Sequence, residues 1–225
     1  MNACRVLNKA IFECYRQLGF AISITLAYLL ALLPVVTAGP ATVALCDVLM
    51  RRMGGEEAGV RAFLSSMKRH ARTGIALLML QLIVYLPAAV YLIVLGNHSF
   101  GWIGNILSWL VLYVILMASL VQLYLYPLVA LQSITKLEQL PQAIYQAYQL
   151  AGRHPLHSTL LLILLGVAVS FSVIIPILFL TVGPVLVGYA LCCNLNLLLA
   201  RYEPTRFQSD LHADWRSIWK PWRTQ

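Results

Sequence analysis

Three stretches of this chain carry no Asp, Glu, Lys or Arg: residues 17–46, 73–135 and 154–200. The second is 63 residues long and the third 47. A helix needs about 20 consecutive apolar residues to cross the hydrocarbon core of a bilayer. Each of the two longer stretches therefore holds two crossings. In lipid every backbone polar group must find an internal partner, so these crossings are helices. The alternation of an outer-membrane barrel strand is absent. Composition agrees, with 60% hydrophobic and only 11% charged residues, against about 25% charged in an ordinary soluble domain. A water-facing main surface is excluded, and so are disorder, a collagen-like chain and a disulfide scaffold.

The first stretch is harder to divide. From Gln17 to Met50 the single charge is Asp47. That length exceeds one straight helix and falls short of two full ones, and Pro34, Gly39 and Pro40 break it in the middle. It reads as a hairpin, residues 18–36 running out and 40–52 returning, with Arg51 and Arg52 reaching the interface from the short arm. The alternative is one kinked span, with five crossings and an external N-terminus. Basic residues sit at 5, 9 and 16, at 51–72, at 136 and 153, and at 201–223, while connectors 96–101 and 180–183 carry none. Basic loops stay cytoplasmic, and six crossings keep all 16 Lys and Arg inside. The expected fold is all-α: a polytopic transmembrane helix bundle of about six spans. Three hairpins (18–52, 73–130 and 157–200) each follow a juxtamembrane amphipathic helix, and both termini are cytoplasmic. The transmembrane domain covers 1–202, and 203–225 form a separate tail. The basic N-terminus resembles a signal peptide, but its apolar run is too long for a cleaved one, so it reads as an uncleaved span.

Two fragments recur. Ala10-Ile11-Phe12-x-x-Tyr15-x-x-x-Gly19 is echoed by Ala143-Ile144-Tyr145-x-x-Tyr148-x-x-x-Gly152, and Thr37-x-Gly39-Pro40 by Thr181-x-Gly183-Pro184. A weaker third copy of the first fragment starts at Ala62-Phe63. The chain thus reads as three repeated units. At each tip, Gly in a left-handed conformation ends the outgoing helix, Pro opens the returning one, and Thr satisfies a freed backbone group. In the plainer reading these are capping turns. In the sharper one, two helix N-termini form a site for an anion or polar ligand, as broken helices do in transporters. Asn194 and Asn196 on the last span are polar enough to bond across helices or line a pore. The candidate ligand residues are Thr37, Gly39, Pro40, Thr181, Gly183, Pro184 and Asn194.

Asp47 is the one acid inside an apolar run, and Arg51 lies four residues on, the spacing of a favourable helical pair. His154-x-x-His157 has neither Cys nor acid near it in sequence and falls short of the three or four ligands zinc wants. No metal or cofactor is expected. The five cysteines (4, 14, 46, 192 and 193) include no CxxC pair and read as reduced small hydrophobes. No hydrolase, metalloprotease, nucleotide-loop or dinucleotide motif is present, so no catalytic residues are named and an enzyme is not expected.

Net charge is +8, but its bases are spread along juxtamembrane segments. There they attract anionic lipid, and no nucleic-acid partner is needed. In the tail, Phe207, Leu211, Trp215, Trp219 and Trp222 fall on one helical face. Trp on that face and bases on the other describe an interfacial helix on the bilayer surface. Trp215, Trp219, Trp222, Arg51 and Arg52 are the expected membrane-interface residues.

The run Leu33-Pro34-Val35-Val36-Thr37-Ala38-Gly39-Pro40-Ala41-Thr42-Val43-Ala44-Leu45 resembles the signature of the YesL-like bacterial membrane proteins. Glu56-Glu57, Phe63, Lys68-Arg69-His70, Gly152-Arg153-His154-Pro155 and Ala200-Arg201-Tyr202 are similar to that family's continuation. The resemblance covers roughly residues 10–205. It implies a bacterial cytoplasmic membrane and a link to carbohydrate uptake, and it brings no catalytic residues. The expectation is a non-enzymatic accessory or regulator of solute uptake, partnered by a permease or transporter subunit. The alternative is an autonomous transporter or channel with its site at the Thr-x-Gly-Pro breaks.

Overall fold

The structure, a computed structural model, describes residues 3–97, 101–153, 155–174 and 182–202. Among them every regular element is helical and none is a strand. The order is α1 (Ala3–Arg16), α2 (Leu18–Leu32), a 3-10 turn (Val35–Thr37), α3 (Ala38–Met53), α4 (Val60–Arg69), α5 (Ala71–Asn97) and α6 (Gly101–Leu131). A second 3-10 turn (Leu137–Gln139), α7 (Leu140–Arg153), α8 (Pro155–Ile174) and α9 (Gly183–Tyr202) follow.

The short helices α1, α4 and α7 owe their placement to one apolar stripe each. α7 buries Ala143, Ala147 and Ala151, four residues apart. α1 buries Val6, Ala10 and Cys14 at the same spacing. α4 buries Phe63 and Ser66 and turns Arg61, Lys68 and Arg69 out. Such helices lie along a boundary, apolar side inward. α1 meets α2 at 97°, and α7 meets α8 at 97°.

The segments Ala71–Val94, Gly104–Leu131 and Gly183–Ala200 are each long and apolar enough to cross a membrane, and counting each bent pair as one span raises the number to five. They are not equivalent. Only 11% of the first two is buried inside the protein, against 67% of the third. Leu86, Val90, Ile93, Ile106 and Leu110 on α5 and α6 are exposed, so most of this long hairpin presents an apolar surface that the other described residues leave uncovered, as a membrane span would.

The core is built on α3, α6 and α9, which pack against one another. α3 buries every residue from Gly39 to Leu49 except Thr42, and α6 buries every residue from Leu123 to Ala130. A helix covered all round is an interior helix. The surrounding contacts run in a cycle. α4 packs on α3, α7 on α6, and α1 on α9. Likewise α5 packs on α3, α8 on α6, and α2 on α9.

α2 and α3 fold back on each other. Arg52 Nε donates to Gln17 Oε1 at 2.7 Å at the open end, and Tyr28 OH and Thr42 Oγ1 pair at 3.3 Å nearer the tip. The stretch is therefore a hairpin and not one kinked span. Pro34 has no N–H to continue the α2 ladder. Thr37 Oγ1 donates to the freed carbonyls of Ala31 and Pro34.

Here the turn chemistry differs from the sequence expectation. Gly39 is already helical, and among the described residues only Gly55 and Ser133 have positive φ. Gly39 is required by proximity instead. A Cβ on it would overlap the carbonyl of Gly74, and a Cβ on Gly74 would overlap the backbone nitrogen of Pro40. The first turns of α3 and α5 therefore touch backbone to backbone. Pro40 falls in the first turn of α3, where its missing N–H has no helical partner to lose.

Candidate functional site

Among the described residues, two cavities and a few buried polar pairs are candidate places for chemistry. The first cavity, about 240 Å³, lies between α2, α3, α8 and α9. Tyr28, Thr42, Cys46, Ala168, Gly183 and Pro184 are on its wall. The second, about 340 Å³, lies between α5 and α6 and is flanked by Ile144 and Tyr148 of α7. Both walls are mainly aliphatic and aromatic. Several of their side-chain oxygens bond to one another or to a neighbouring hydroxyl. Tyr28 holds Thr42 in the first. In the second, Tyr85 OH lies 2.9 Å from Ser119 Oγ and donates to Gln122 Oε1 at 3.0 Å, and Tyr126 OH donates to Gln81 Oε1 at 2.8 Å.

The expected tip residues do not converge. Gly183 and Pro184 open α9 and line the first cavity. Gly39 and Pro40 lie against Gly74 of α5, so the N-terminus of α3 abuts backbone. Thr37 caps the end of α2. Thr181, Trp215, Trp219 and Trp222 lie outside the described residues, as do His98 and His154.

Asn194 is fully buried on α9 and lies in neither cavity wall. His157 Nε2, one helix away on α8, donates to its Oδ1 at 2.8 Å. Its Nδ2 has no hydrogen-bond partner among the described residues. This contact locks α8 to α9. Asn194→Leu is expected to cost about 1–3 kcal/mol by stripping the half-buried imidazole of this acceptor. Thermal unfolding of the purified protein in detergent reads this out, and an unchanged midpoint would show that the pair holds nothing.

Asp47 is 6% exposed. Arg51 Nε approaches Oδ1 at 3.2 Å, and Ser66 Oγ donates to Oδ2 at 2.6 Å. Both carboxylate oxygens are thus engaged, and they fasten α3 to α4. Arg52 is held by Gln17 while its guanidinium stacks 5.0 Å over Phe20. The cation–π contact and the Gln17 bond pin the end of α3 to the α1–α2 junction.

Sequence reasoning missed several of these partners. His70 is fully buried and donates through Nδ1 to the carbonyl of Ile134 at 3.0 Å, tying the α4–α5 junction to the loop after α6. Ser66, Tyr28 and Gly74 were also unmarked, while His70 and Thr42 stood out only as members of the fragments that resemble the YesL-like family. Of the first three only Gly74 left a trace, as a lone glycine in an otherwise helical run. Cys14, Cys46, Cys192 and Cys193 are free and buried, and Cys192 Sγ lies 3.7 Å from the carbonyl oxygen of Cys46. Among the described residues no group of three or more His, Cys, Asp or Glu is placed to hold a metal ion.

The chain matches no family model, no curated protein and no solved structure.

Proposed function

We propose that this is a non-enzymatic, multi-pass membrane protein that assists or regulates uptake of a solute by associating with a permease or transporter subunit. The similarity of residues 33–45 to YesL-like proteins favours a carbohydrate as the solute and a bacterial cytoplasmic membrane as the location. One observation carries the reading: the walls of both cavities are mainly apolar, and most of their polar side-chain oxygens bond to each other. A sugar or ion crossing the membrane must have its lost hydration replaced by wall groups. Walls of this kind replace little of it, but they suit hydrocarbon and packing against other helices.

The second reading, an autonomous transporter with its site at the Thr-x-Gly-Pro breaks, needs open helix N-termini. Gly183 and Pro184 at the first cavity favour it. The contact of Gly39 with Gly74 weighs against it. In the preferred reading both termini are cytoplasmic, and α5, α6, α8 and α9 cross the membrane. The first hairpin starts and ends on the cytoplasmic side, and its depth decides between six crossings and four. The cyclic packing of α1–α3, α4–α6 and α7–α9 supports an internal repeat of three units. The exposed bases Arg61, Lys68, Arg69 and Arg72 meet anionic lipid.

Purified protein in liposomes is expected to take up no member of a sugar panel faster than protein-free liposomes. Saturable uptake would reject the accessory reading. If Thr37→Ala with Thr181→Ala abolished that uptake, the tip-site reading would replace it.

A further inference from the structure

The charge pattern sets the tip of the first hairpin on the outer face, level with residues 96–101. The packing sets it elsewhere. Arg72, in the first turn of α5, is exposed, and an exposed arginine on a spanning helix must reach the headgroups. Its position therefore marks the cytoplasmic boundary on α5. Gly74 follows Arg72 by two residues, about 3 Å along the axis. The start of α3 is held there: a Cβ on Gly39 would overlap the Gly74 carbonyl and lie 3.1 Å from Leu78 Cβ. Beyond Leu78, α5 runs 19 more residues to Asn97, about 28 Å. That is nearly the whole of a hydrocarbon core about 30 Å thick. The tip cannot make up the difference, because Thr37 folds it back onto Ala31 and Pro34.

We infer that the first hairpin is re-entrant: α2 and α3 enter and leave through the cytoplasmic leaflet, and their apolar tip ends within the bilayer against acyl chains. The chemistry of the tip fits that medium. Leu33, Val35 and Val36 are 77%, 71% and 54% exposed, a cluster of bare aliphatic side chains that water would disfavour. Backbone groups in hydrocarbon must be satisfied internally. Here Leu33 N–H donates to Leu30, Thr37 N–H donates to Pro34, Pro34 has no N–H, and the Thr37 hydroxyl covers the carbonyls of Ala31 and Pro34. The chain then crosses four times, and the apolar tip is a surface that only a membrane-embedded partner or lipid can touch.

Val35→Cys and, as an outer-face control, Asn97→Cys test this in intact cells with a membrane-impermeant maleimide, the wild-type chain serving as the blank. N97C is expected to label and V35C is not. A spin label on V35C in reconstituted protein is then expected to collide more with oxygen than with a water-soluble nickel chelate, with the order reversed on N97C. External labelling of V35C to the extent of N97C, or nickel accessibility equal at the two sites, would overturn the re-entrant hairpin. Val35 is exposed, so the substitution leaves the core intact.

Discussion

Gly74→Ala is expected to lower the stability of the purified protein by about 3 kcal/mol, and Gly39→Ala by a similar amount. Overpacking usually costs 1–3 kcal/mol, and here the new methyl meets backbone on a neighbouring helix. Backbone cannot rotate aside, so α3 must back away from α5. For a chain of this size the loss corresponds to roughly 6–12 °C in thermal midpoint. Two other glycines give the scale its zero and its middle. Gly166 on α8 has nothing within 4 Å of an added Cβ, so Gly166→Ala is expected to be neutral or to stabilise by up to about 1 kcal/mol. Gly188 would meet the end of the flexible Leu49 side chain, so Gly188→Ala falls between. If all four variants melted together, the contact between α3 and α5 would not be what holds the core.

Asp47→Leu is the second large effect, expected at about 2–3 kcal/mol. It removes the acceptor of Ser66, which is 3% exposed, and the partner of Arg51. Breaking a fully buried ion pair from one side costs roughly 3–5 kcal/mol. The Arg51 side chain is 35% exposed and can turn toward water, which lowers the expectation. Asp47→Asn keeps an oxygen for Ser66 and is expected to cost about half as much. Ser66→Ala placed on Asp47→Leu should recover part of the loss, because it removes the orphaned hydroxyl. Full stability of Asp47→Leu would mean that the carboxylate is kept for proton or ion traffic instead.

Much of the fold was legible in the sequence because charge and proline act locally. The charge-free runs marked α5, α6, α8 and α9. Pro34 marked a break in the first stretch, although α2 stops at Leu32 and not at residue 36, and Arg51 four residues after Asp47 announced their ion pair. What was not legible depends on which surface meets lipid and which meets protein. Both are equally apolar, so the short α3, with its acid and small residues, read as the weak arm of a hairpin. It is in fact an interior helix, packed against α2, α4, α5, α6 and α9. Gly39 read as a turn residue because its reason for being glycine, the backbone of Gly74, is 35 residues away. The partners of the candidate polar residues were hidden for the same reason. Ser66 reaches Asp47 across 19 residues and His157 reaches Asn194 across 37, and neither pairing has a periodicity to betray it. The repeated tip motif was visible, but its two copies have different surroundings: one abuts a helix backbone and the other borders a cavity.

The most direct test of the accessory reading is purification of the tagged full-length chain from its native host in a gentle detergent, with co-purifying proteins quantified by mass spectrometry. The expected result is a stoichiometric membrane-embedded subunit of a solute-uptake system. A partner-free preparation that drives saturable sugar uptake in liposomes would contradict it.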